Sequence, residues 1–137
     1  MLLPLVTRSG KKLIAEAATA ELITTDLAVY EVCNGLWKLA TLLKTITMED
    51  AADIAAILNE LTAKNLIQTV SFDSIDFTTT LDIAQKNQLT FYDASYIVVA
   101  QNVKAILATE DQKLLKAASK SVKTLSFAQL QSELAKF

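Results

Sequence analysis

A chain without histidine must do its chemistry with carboxylates, hydroxyls or lysine. This protein has 137 residues, no His and a single Cys. That removes histidine-based zinc sites, Ser-His-Asp triads and Cys-His pairs. Three acids stand where a carboxylate can act: Glu31, Asp93 and Asp111. Asp93 opens the stretch Leu89 to Ala100, which is apolar almost all the way round after it. A helix of that composition is buried rather than half solvated. An anion in its first turn sits where unpaired N–H groups and the helix dipole favour negative charge. The bland reading is a stabilising N-terminal Asp. The functional reading is a ligand aimed into a cleft.

The elements that must position these acids follow from pattern. Leu22 to Thr25 is a short β-prone run, and Thr25 or Asp26 caps a long helix from Leu27 to about Thr45. On that helix Glu31, Asn34, Lys38, Thr41 and Thr45 fall at steps of three and four, the pattern of a solvent face. Thr47 caps a helix to about Lys64, with Ala52, Ile54, Ala55, Ile57, Leu58 and Leu61 inward. Leu66 to Phe72 alternates weakly, as a short strand would, and Asp73 or Ser74 opens a helix to Asn87 with Ile75, Leu81 and Ile83 inward. Ala105 to Ala108 is a continuous apolar run between helices, the mark of a strand buried on both faces. A helix from Gln112 to Ala118, a strand over Ser121 to Leu125 and a helix capped by Ser126 complete the chain. Before all of these, Met1 to Val6 reads as an edge strand or a helix start, and Lys11 to Ala20 as a helix.

Strand and helix alternate, so the fold class is α/β with a parallel sheet and helices on both faces. Ligands of such sheets bind beyond the carboxyl ends of the strands. Glu31, Asp93 and Asp111 fall at helix starts and strand ends that gather at that edge. Carboxylates so close repel unless a cation joins them or one holds a proton. Oxygen ligands without His or Cys select Mg²⁺ or Mn²⁺. A metal held this way makes hydroxide from water and offsets charge on phosphate oxygens, which is the chemistry of phosphodiester hydrolysis.

Three blocks of the chain also resemble the PIN-domain family in its archaeal VapC-type toxin form. Thr25 to Lys38 is similar to the second acidic block, Leu89 to Ala100 to the third, and Leu107 to Asp111 to the fourth. The resemblance runs from about Leu5 to the C-terminus. It implies one domain over residues 1–137, a three-layer α/β/α fold and a parallel sheet of about five strands. It also implies a Mg²⁺-dependent ribonuclease, a homodimer and inhibition by a small VapB-type antitoxin. By that match Glu31, Asp93 and Asp111 are metal ligands, and Asn34, Ser95 and Thr109 support them. Glu110 is an alternate ligand, while Asp26 belongs to the helix cap. Tyr30, Trp37 and Tyr96 lie in apolar helices and are expected in the core or a dimer interface rather than as base-stacking platforms.

The family's first acidic block has no counterpart here, because no acid precedes Glu16. Either a longer chain carries the missing Asp, or this one has lost that ligand. The first strand is then absent or shortened, and Met1 to Val6 or a partner chain is expected to fill part of the gap. Three functions stand: a metal-dependent RNA endonuclease, weakened or inactive if the first Asp is truly absent, a catalytically impaired PIN-like interaction module, and a plain α/β domain whose acids are only caps. Net charge is −2, so nucleic acid must be held locally or through a metal. No apolar run reaches the roughly 18 residues of a membrane span. The start lacks a signal-peptide pattern and Cys33 has no partner for an internal disulfide, which fits a cytoplasmic protein.

Overall fold

The computed structural model describes residues 21–136, which divide at Val70 into two compact units. The expected elements at Met1 to Val6 and Lys11 to Ala20 lie outside the described residues.

In the unit that ends at Val70, strand β1 (Leu22–Thr25) pairs in parallel with β2 (Ile67–Val70), Leu22 opposite Ile67 and Thr25 opposite Val70. Parallel neighbours need a crossover. Here it is helix α1 (Asp26–Trp37), a π-helical turn (Lys38–Leu42) and helix α2 (Met48–Ala63). Thr25 closes the start of α1, its hydroxyl accepting the Ala28 N–H at 3.1 Å. Asp26 Oδ1 accepts the Leu27 N–H at 2.8 Å, in keeping with its assignment to the cap. The helix buries the narrow stripe Ala28, Val32 and Leu36. At Lys38 it widens, and the Leu43 N–H reaches back five residues to the Lys38 carbonyl at 2.9 Å. Thr47 and Asp50 form a reciprocal capping box on α2, with N–H to oxygen distances of 3.0 and 3.1 Å. Of the expected inward side chains, Leu58 and Leu61 are buried, whereas Ala52 is exposed and Ala51 takes its place.

In the unit from Ser71, the helix expected from Asp73 or Ser74 begins later. Phe72–Ser74 forms one 3₁₀ turn, in which the Ser71 hydroxyl donates to Asp73. Asp76 is the cap of helix α3 (Phe77–Asn87), accepting the Thr79 N–H at 2.8 Å and the Thr79 hydroxyl at 2.6 Å. The later start turns Leu81 outward, 59% exposed, and brings Thr80 and Ala84 inward. Thr80 is fully buried, and its hydroxyl donates to the Asp76 carbonyl at 2.7 Å, so no polar group is stranded.

Helix α4 (Phe91–Asn102) buries Ala94, Ser95, Ile97, Val98, Val99 and Ala100. It ends on Lys104 in the left-handed region (φ 54°), where the Ala105 N–H donates to the Ala100 carbonyl at 2.9 Å and reverses the chain. Strand β3 (Leu107–Ala108) then pairs in parallel with β4 (Thr124–Leu125). Helix α5 (Gln112–Ala118) connects them, and helix α6 (Phe127–Leu134) follows. The core of this unit is Ile97, Leu114, Ala117 and Ala118, with Ile83, Leu89, Tyr96, Leu107 and Val122 packed against it. No described helix is long and apolar enough to cross a membrane.

Candidate functional site

Asp93 is the third residue of α4, and the fold does not use its carboxylate to start the helix. The cap is Thr90, whose hydroxyl accepts the Asp93 N–H at 3.1 Å. A third-position acid normally turns back to the cap residue's own N–H and closes the box. Asp50 does this in α2, and Gln129 does it for Ser126 in α6. Asp93 does not. Its half-buried carboxylate accepts no hydrogen bond from the described residues, and it faces the amide end of a buried helix.

Asp111 is the cap of α5. Its Oδ1 accepts the Leu114 N–H at 2.9 Å, which leaves Oδ2 for another partner. Its own N–H donates to the hydroxyl of Thr109 at 3.1 Å. Thr109 is buried, 5% exposed, and its N–H continues the ladder to the Leu125 carbonyl at 3.0 Å. The sheet thus fixes Thr109, and Thr109 fixes Asp111. From Asp93 to the end of α4 the chain advances about 14 Å. The extended return to Thr109 covers about 13 Å. Helix α4 packs on β3 and α5, the elements that carry Asp111.

The remaining candidates have more local duties. The Ser95 hydroxyl is buried and donates to the Tyr92 carbonyl at 2.6 Å. Glu110, the alternate ligand, is engaged elsewhere: its carboxylate accepts the Phe127 N–H and ties the end of β3 to the start of α6. Sequence spacing carries no sign of that bond, since its partners are 17 residues apart. Glu31 and Asn34 lie in the other unit, one turn apart on the exposed side of α1, along the stripe with Lys38, Thr41 and Thr45. Tyr30 and Trp37 are not core residues: they are 78% and 46% exposed. The helix has more apolar residues than its buried stripe can cover. Tyr96 is half-buried against the core of its unit.

Among the described residues, no three His, Cys, Asp or Glu side chains form a group that could hold a metal ion. The donor chemistry of the candidates fits a hard cation, since all are carboxylates and the chain has no His. Among the described residues, Asp93 and the Oδ2 of Asp111 accept no hydrogen bond.

Comparison with known proteins agrees with this architecture. The PIN domain family model matches residues 7–120. Ribonuclease VapC3 of Pyrobaculum aerophilum is 34% identical over 107 residues, 78% of this chain and 79% of that protein. Exonuclease VapC9 of the same organism is 34% identical over 89 residues, 65% of this chain. That alignment spans 61% of VapC9, less than two thirds of its length. The crystal structure of PAE2754 from Pyrobaculum aerophilum superposes with a TM-score of 0.74 at 25% identity, covering 99% of this chain and 85% of that one.

Proposed function

Because the chain belongs to the PIN-domain family, with its three-layer α/β/α fold, we propose that it is a metal-dependent RNA endonuclease of the VapC toxin type. It works in the cytoplasm as one half of a toxin–antitoxin pair, with a VapB-type antitoxin as its inhibitor and a homodimer as its working form. The observation that carries the nuclease reading is the Asp93 carboxylate, placed at the box-closing position of α4 and not used to close it. An acid at that amide end is favoured by the helix itself, and outside the box its carboxylate remains available to a ligand.

Asp93, Asp111 and Glu31 are the residues that would hold Mg²⁺ or Mn²⁺. Such an ion supplies an activated water and charge neutralisation at a phosphate. Thr109 positions: its hydroxyl accepts the Asp111 N–H and sets the angle at which that carboxylate leaves the strand. The buried body of α4 keeps Asp93 from drifting, because six of its residues after the acid are packed.

A circular single-stranded RNA tests the reading, because only an internal cut opens it. The chain with Mg²⁺ is expected to linearise the circle, and Asp93→Asn to lower the rate at least about a hundredfold. Equal cleavage by the variant would dismiss Asp93 as a ligand. A second reading, an impaired PIN-like domain acting as a protein-interaction module, is favoured by one observation: no three metal-binding side chains gather among the described residues. Titration with Mn²⁺ separates the two. Saturable binding lost in Asp93→Asn supports the nuclease, and no site-specific binding supports the module.

A further inference from the structure

Between Asp111 and Glu133 the chain carries Lys113, Lys116, Lys120 and Lys123 and no acid, although its net charge is −2. Lys113 and Lys116 lie on α5 and Lys120 in the turn after it, at steps of three and four, all exposed. Leu114, Ala117 and Ala118 hold the other side of the helix in the core. Lys64, Lys86 and Lys136 have acidic partners, Glu60, Asp82 and Glu133, while Lys38, Lys44 and Lys104 stand singly elsewhere with none among the described residues. Among the described residues Lys113 and Lys116 have none. Lys120 donates to the neutral amide oxygen of Asn87 at 3.1 Å, which aims its ammonium without offsetting the charge. Of the acids at the head of the row, Glu110 is bonded to the Phe127 N–H and Asp111 to the Leu114 N–H through one oxygen, and neither pairs with a lysine among the described residues. Lys123 differs, because it lies close enough to Glu133 to help hold that carboxyl below its ordinary value, after the larger effect of Lys136. Three like charges in a row repel weakly at this spacing, and a bound polyanion relieves them more than screening by salt does.

We infer that Lys113, Lys116 and Lys120 form a rail for the phosphodiester backbone of single-stranded RNA, starting at Asp111 and running along α5. The identity of the anion rests on the nuclease reading; the binding itself needs no metal. A regular row of point charges suits a regularly repeating anion better than the irregular acids of a protein surface. Lysine reads charge rather than base edges, so the rail holds RNA without regard to sequence.

The test is the salt dependence of binding of a labelled oligouridylate to the full chain in EDTA. Each phosphate contact on a single strand contributes about 0.7 to the slope of log affinity against log salt. The Lys113→Gln/Lys116→Gln/Lys120→Gln variant is expected to lose about 2 from that slope. Lys64→Gln, whose charge is paired, is expected to leave it unchanged. Circular dichroism checks that the triple variant is folded; Lys113 and Lys116 are exposed helix positions that accept glutamine well, and Lys120 is exposed in a turn. An unchanged slope in the folded triple variant overturns the rail. Binding of polyglutamate but not of oligouridylate overturns it in favour of an acidic protein partner. Slope-dependent RNA binding without Mg²⁺-dependent cleavage upholds the rail and sinks the nuclease reading. Cleavage with a slope indifferent to the three lysines does the reverse.

Discussion

Helices α2 and α4 begin alike and differ in one bond. Each has a threonine cap, Thr47 or Thr90, and an aspartate three residues on, Asp50 or Asp93. In α2 the aspartate returns to the Thr47 N–H and closes the box; in α4 it does not. The first start is fully used for folding. The second keeps its hydroxyl cap and holds its acid in reserve. Equal sequence spacing therefore gives two different duties, and the backbone decides which.

The comparison makes predictions that can break it. Asp93→Asn is expected to remove at least about a hundredfold of Mg²⁺-stimulated cleavage while leaving the thermal midpoint nearly unchanged. Asp50→Ala is expected to do the opposite, opening the capping box at a cost of about 1 kcal/mol with cleavage intact. Calorimetry beside the circular-RNA assay decides, and a large stability loss in Asp93→Asn would show that its acid serves the helix after all. Next in size is Thr109→Val, which leaves the Asp111 N–H without its hydroxyl acceptor. It should cost about 1–3 kcal/mol, and Thr109→Ser should restore most of it, as denaturant unfolding would report. Smaller still is Gln88→Gly. Gln88 ends α3 with φ 54°, a region where a side chain is disfavoured and glycine is at home. A gain of about 0.5–1 kcal/mol is expected, and a loss would mean that the side chain contributes packing of its own.

The smallest effect is on pH. The Thr79 hydroxyl, and then the Thr79 N–H, hold the exposed Asp76 carboxyl below its ordinary value. A lowered value in the folded chain means the cap stabilises fully above the usual carboxylate range. That contribution is lost as pH falls through the folded value. The stability difference between the wild type and Asp76→Asn should shrink on acidification from neutral pH, and a constant difference would remove Asp76 from the acid response.

Much of this was legible in residue order. Thr47 and Ser126 each precede an apolar period, and each caps the helix expected of it, whereas the capping duty of Asp111 was not legible there. The apolar run of α4 announced its burial. The start of α3 was obscured because Asp73, Ser74 and Asp76 all suit a cap, and the first two satisfy themselves within the 3₁₀ turn. On α1 the polar stripe did mark the solvent side, and Tyr30 and Trp37 flank it while the buried Val32 and Leu36 lie opposite; it was the apolar type of the two aromatics that misled. At the site, position was readable and commitment was not. Whether a carboxylate closes a box, as Asp50 does, or reaches a distant amide, as Glu110 does, is set by tertiary geometry.

The double tether at the end of β3 has a consequence for the far end of the polypeptide. Thr109 hangs from Leu125 and Glu110 grips the amide of Phe127, and both anchors lie beyond residue 120, where the family match stops. The last turns of the chain thus act as a clasp on the loop that presents Asp111. Trimming the protein back to the matched core would release that clasp, and the acid would lose its aim without a single change near it.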